Sequence, residues 1–168
     1  DTMSSKVSEI STSLGEYQLA KGMREEAEAT FARALTLEPQ SVDARLSIAQ
    51  FYLRAGEPST AERYLTEALA LAPGNLTVRR MLTVMYLEAR RPEAAQPHMQ
   101  VLAERGDERT RLGLADFYVA VRQLDAAAAL LEPLSSHPQL GRLARARLAL
   151  VRYGQGRKAD AHTLVDAV

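Results

Sequence analysis

Residues 22–39 read GMREEAEATFARALTLEP and residues 56–73 read GEPSTAERYLTEALALAP. From one stretch to the other glycine moves from 22 to 56, alanine from 27 to 61 and from 34 to 68, and proline from 39 to 73, each by 34. The register continues downstream. The small residue returns at Ala95, Ala127 and Ala161 in steps of 34, 32 and 34, and Tyr52, Tyr86 and Tyr118 keep steps of 34 and 32. Chance does not hold several residue types in one register, so the chain is built from internal repeats.

Within a unit the apolar positions fall three or four apart. Ile48, Ala49 and Tyr52 make one such set and Ala61, Leu65 and Ala68 another, which lays each on one stripe of a helix. Gly56 breaks the first run and Pro73-Gly74 ends the second, because proline cannot continue a helix and glycine accepts the turn. One unit is therefore two antiparallel helices, and each pair leaves an apolar side bare until the next pair stacks on it. First helices are predicted near 8–21, 42–55, 76–89, 109–121 and 142–154, and second helices near 24–37, 58–71, 92–104, 124–136 and 157–168. Small alanines at 27, 61, 95, 127 and 161 let paired helices approach, and Phe31, Leu65, Met99, Leu131 and Val165 fill the space between them. Pro97 is expected to bend its helix and Pro133 to bend or shorten its own, since proline lacks the amide donor and its ring meets the carbonyl four residues back.

These residues resemble the tetratricopeptide repeat, a family with a period of about 34. Leu14, Gly15, Ala27, Phe31, Ala34 and Pro39 carry the likeness in the first unit, and Ile48, Ala49, Tyr52, Gly56, Ala61, Leu65, Ala68 and Pro73 in the second. Leu82, Tyr86, Ala95 and Met99 carry it in the third, Leu114, Ala115, Tyr118, Ala127 and Leu131 in the fourth, and Leu148, Ala149, Gly156, Ala161 and Val165 in the fifth. The third unit lacks the closing proline and has Gly106 nearby. The resemblance implies an all-α fold: a right-handed α-solenoid of about five units, near 8–41, 42–75, 76–107, 108–141 and 142–168, after a lead-in at 1–7.

The function that the resemblance implies is a non-catalytic protein–protein interaction scaffold, with a partner peptide or helix in a concave groove lined by the first helices. The lining positions map to Leu46, Gln50 and Leu53, then Arg80, Val84 and Leu87, then Leu112, Asp116 and Val119, with Thr12, Glu16 and Leu19 as equivalents in the first unit. Some members of the family grip a terminal carboxylate with a lysine–asparagine–arginine clamp. The matching places here hold Thr12, Glu16, Leu46, Ser47 and Gln50, so a free carboxylate is a poor ligand for this chain. The aliphatic lining residues have a plainer reading as mutual contacts in a tightly wound superhelix.

Composition narrows the alternatives. The 168 residues include 21 basic and 21 acidic side chains, so no global charge draws the chain to nucleic acid or a membrane surface. The arginine-rich fifth unit lacks the aromatic interleaving of a single-strand binder. No stretch is long and apolar enough to span a bilayer. There is no cysteine, which removes disulfides, thiolate metal sites and a thiol nucleophile but leaves reducing and oxidising compartments, cytoplasm or periplasm, both open. His98, His137 and His162 fall in different units without metal spacing, and no phosphate loop or His-Glu-x-x-His run occurs. No catalytic residue, metal site or cofactor is expected. The scarcity of lysine beside many arginines has a bacterial look.

Four features remain open at this level. Arg45, Arg79, Arg111 and Arg145 occupy one register position, either laying their stems on a neighbouring unit with the heads in water or forming a ladder for a ligand. Asn75-Leu76-Thr77 fits a glycosylation sequon, but falls where a turn-former is wanted. Residues 1–30 carry three basic against six acidic side chains and residues 137–168 six against two, so self-assembly through stacked solenoid ends is the second functional reading. The final turn Leu164-Val165-Asp166-Ala167-Val168 is apolar where a solenoid end calls for a polar cap, and the chain starts without methionine. Two expectations fit: the native chain continues, or another copy covers this end.

Overall fold

In the computed structural model, residues 2–166 are described and form ten α-helices, with no strand among them. Packing divides between Glu88 and Ala89 into two compact units. The first holds α1 (Thr2–Ala20), α2 (Arg24–Leu37), α3 (Val42–Arg54), α4 (Pro58–Leu71) and α5 (Leu76–Glu88). The second holds α6 (Pro92–Arg105), α7 (Glu108–Ala120), α8 (Leu124–Leu134), α9 (Gly141–Gly154) and α10 (Lys158–Asp166). α1 begins at Thr2 rather than near residue 8, so most of the stretch expected as a lead-in is helical.

The turns between paired helices repeat one device. Gly22, Gly56 and Gly156 have φ of 77°, 75° and 80°, the left-handed conformation that glycine enters without a Cβ clash. Arg90 and Arg122, in the same register, are held there too at 55° and 63°. The turns into the first helices repeat another. The side chains of Ser41, Asn75 and Asp107 accept from the backbone amides of Ala44, Val78 and Thr110 at 3.2, 3.0 and 3.0 Å, closing the open N-terminal turns of α3, α5 and α7. Asn75 thus acts as a cap in its turn. Gly141, the first residue of α9, stands at this place, and the ring Nδ1 of His137 accepts instead from the amides of Leu140 and Gln139.

In the first unit α1 packs on α2 and α3, and α4 packs on α3 and α5. Its centre is aromatic: Phe31 meets Phe51 edge-on at 5.6 Å, Phe51 meets Tyr52 at 4.7 Å, and Tyr52 stacks on Tyr64 at 5.8 Å. Gly15 is required by Phe31. A Cβ there would stand 2.6 Å from the Phe31 ring, while units two, four and five carry Ala49, Ala115 and Ala149 at the Gly15 position and the smaller Leu65, Leu131 and Val165 at the Phe31 position. In the second unit α7, α8 and α9 share one core that includes Leu114, Phe117, Leu131, Ala144, Leu148 and Val151.

The two internal prolines behave differently. α8 ends at Leu134, one residue past Pro133, two residues before the expected boundary and at 11 residues against 14 for α2, α4 and α6. α6 runs through Pro97 to Arg105 as one helix. Pro97 lies in its second turn, where the amide that it lacks would have bonded only the first-turn carbonyl of Glu93.

Candidate partner-binding surface

The arginine column is structural, and each head bonds a backbone carbonyl. Arg45 donates to the Ser41 carbonyl at 3.0 Å, Arg79 to Pro73 at 2.8 Å, Arg111 to Ala103 at 3.3 Å and Arg145 to Ser135 at 2.7 Å. Each acceptor lies in the last turn of the preceding second helix or in the segment just after it. For Arg79, Arg111 and Arg145 the acceptors belong to the C-terminal end of the preceding second helix or just beyond it, where carbonyls lack intrahelical donors, so a guanidinium satisfies them. Ser41 is instead the N-cap of α3 itself. Arg45 also pairs with Glu67 at 3.2 Å and Arg111 with Glu108 at 3.2 Å. Arg79, Arg111 and Arg145 thereby tie one repeat to the next, while Arg45 braces the start of α3 against α4.

The first helices present what remains. In the first unit Leu53 of α3 and Arg80 and Val84 of α5 converge on one concavity of about 420 Å³, which Met81, Met85 and Glu88 complete. Val84 and Leu87 are exposed on α5, and Leu46 and Gln50 are half-buried on α3. Leu87 does not line that concavity. The floor is aliphatic and thioether, with one cation and one anion at the edge.

In the second unit the same register is occupied differently. Leu112 is only 6% exposed and belongs to the core with Ala115, Leu131 and Leu148, so it presents no side chain to a partner. Val119 is half-buried against that core. Asp116 is exposed, and both its carboxylate oxygens accept from Arg147 of α9, Oδ2 at 3.0 Å. In α1, Glu16 is exposed while Thr12 and Leu19 are half-buried.

The register also reaches a place that the sequence reading left out. One step of 34 beyond Leu112, Asp116 and Val119 stand Ala146, Leu150 and Tyr153 of α9, and these line an apolar trough of about 380 Å³ with Ala149, Ala161, His162 and Val165. The repeat step itself would have found them.

Electrostatic perturbation is modest and local. Burial pushes the Tyr52 hydroxyl up, with Glu28 adding to it, and the Arg24 guanidinium is held up by its bonds to Glu57 and Glu28. The amide and hydroxyl of Thr110 hold Asp107 below the ordinary carboxylate range. These causes are caps, pairs and packing. No group of three or more metal-ligating side chains occurs among the described residues, and no described helix is long and apolar enough to cross a membrane.

Comparison with known proteins places this surface in context. The sequence profile of the tetratricopeptide repeat matches residues 18–65 and 53–109. No curated protein matches the chain. Among solved structures, the crystal structure of MamA aligns with a TM-score of 0.68 at 19% identity, over 96% of this chain and 90% of that one. YrrB, described as a TPR protein with an unusual peptide-binding site, aligns with a TM-score of 0.66 at 17% identity, over 93% and 81%. PilF of Pseudomonas aeruginosa aligns with a TM-score of 0.59 at 21% identity, over 97% and 75%. At such identities the likeness speaks for the fold alone.

Proposed function

The chain belongs to the tetratricopeptide repeat family, and from that premise we propose that it is a non-catalytic scaffold whose first unit holds a peptide or helix of a partner protein against α3 and α5. The observation that carries this is the convergence of Leu53, Arg80 and Val84 on one concavity floored by Met81 and Met85. Aliphatic and thioether side chains accept varied apolar partners, because methionine adapts its shape at low cost. Arg80 and Glu88 at the edge set direction by pairing with opposite charges on the ligand, more through specificity than through raw affinity. The expected ligand is thus a short amphipathic segment with an aliphatic face and flanking charges.

Leu46 and Gln50 extend the surface along α3, and Leu87 extends it along α5. In the second unit Asp116 and Val119 offer a smaller patch, already occupied in part by Arg147, so the first unit dominates. YrrB, which has a similar fold, is described as binding peptide, and that supports the reading.

The test is to select peptides from a random library on the intact chain and to map bound peptide by amide chemical shifts. The reading expects the largest shifts in α3 and α5. Shifts confined to other helices would refute it.

A further inference from the structure

Each first helix after α1 buries most or all of a stripe of three positions. The stripe is Ala44, Ile48 and Phe51 in α3, Val78, Leu82 and Met85 in α5, and Ala144, Leu148 and Val151 in α9, all buried. In α7 it is Thr110, half-buried, with Leu114 and Phe117 buried. The same positions in α1 are Ile10, Leu14 and Tyr17, and all three are exposed, Ile10 at 67% and Tyr17 at 58%. α1 therefore displays an apolar stripe at the positions that α3, α5 and α9 bury in full.

The receiving half of that joint also stands open between α9 and α10. Between α7, α8 and α9 the joint is closed: Leu112, Ala115, Ala127, Ala128 and Leu131 share one core with the Ala144, Leu148 and Val151 stripe. One step of 34 onward those five become Ala146, Ala149, Ala161, His162 and Val165, and all five line the α9–α10 trough. Nothing among the described residues fills that trough, and Leu150 and Val165 on its walls are 73% and 59% exposed.

The geometry points to a second copy of this chain as the occupant, its α1 stripe laid into the α9–α10 trough. Two observations select a copy over an unrelated helix. The joint would continue an interface that the chain already makes within itself, with the same register positions on each side. The charges also complement: residues 1–30 carry a net −3 and residues 137–168 a net +4, which favours head-to-tail over like-end approach. Such a contact is heterologous, since different surfaces meet, and it therefore propagates into rings or filaments rather than stopping at a dimer.

The test uses two exposed substitutions in the full chain, Ile10→Glu on the stripe and Leu150→Glu in the trough. Sedimentation of the unaltered chain should show an average mass that climbs with concentration and falls with added salt. Each variant alone should stay monomeric, because every prospective joint then has one spoiled half. Mixed in equal amounts they should form a heterodimer and nothing larger, from the intact trough of one and the intact stripe of the other. Equal helicity by circular dichroism keeps the comparison valid, and Val165→Glu replaces Leu150→Glu if the latter loses helicity. A chain that stays monomeric up to roughly 1 mM overturns the inference. So does assembly that survives Ile10→Glu alone, which would mean trough against trough.

Discussion

The guanidinium of Arg145, near the start of α9, donates at 2.7 Å to the carbonyl of Ser135, the residue that caps the end of α8. One bond thus ties the close of one repeat to the opening of the next, and Arg79 and Arg111 reach back in the same manner. Arg145→Met keeps the aliphatic stem but strands the carbonyl. A hydrogen bond from a charged donor contributes about 1.5–3 kcal/mol, so the variant should lose stability in that range by urea denaturation. Arg142→Met, exposed one turn earlier, should stay within about 0.5 kcal/mol of wild type. Equal effects at the two sites would remove the clamp from the account.

Gly15 and Phe31 form a matched pair, because the ring occupies the space that a Cβ at residue 15 would need. Gly15→Ala should cost roughly 1–3 kcal/mol through overpacking. Combined with Phe31→Leu, which gives the two positions the alanine and leucine that unit two carries at 49 and 65, the double variant should be more stable than the sum of the single effects implies. Additive losses in thermal denaturation would contradict the pairing.

Arg122 holds the left-handed turn that glycine holds at 22, 56 and 156. An L side chain there costs roughly 1–2 kcal/mol, offset in part by the greater chain entropy that glycine loses on folding. Arg122→Gly should therefore raise stability by about 0.5–1 kcal/mol, and Gly56→Ala should lower it by a similar amount. A rise for Gly56→Ala, or a loss for Arg122→Gly, would show the turn conformation to be misassigned.

Asp107 caps α7, and its carboxyl is held below the ordinary value by the amide and then the hydroxyl of Thr110. A depressed carboxyl adds stability that is fully present above its unfolded-state pKa and is lost as pH falls through the folded-state value. Asp107→Asn keeps an acceptor at the cap without the titration. The advantage of wild type over this variant should thus be constant near neutrality and shrink in acid. An advantage that grows as pH falls would have the wrong sign for this cap.

Much of the fold was legible because repeat punctuation is local. Glycine at 22 and 56 and proline at 58 and 73 bound their helices within a residue or so, and α2 and α4 run where the 34-residue step placed them. What escaped depends on neighbours. Leu112 reads as a lining residue from its own helix and is buried once α8 and α9 close over the same core. Arg90 and Arg122 carry no glycine to announce their left-handed turns. The arginine column left two readings open, stems on a neighbour with heads in water or a ligand ladder, whereas the heads bond backbone carbonyls of the folded turns. Of the lining positions, Leu53, Arg80 and Val84 meet around one concavity because α3 and α5 share a unit.

The most direct test of the partner-binding account is the dissociation constant of a library-selected peptide for wild type and for the Leu53→Glu/Val84→Glu double variant. The account predicts at least a tenfold loss, about 1.4 kcal/mol, with helicity and Tm kept near wild type. An unchanged dissociation constant in a folded double variant would contradict it.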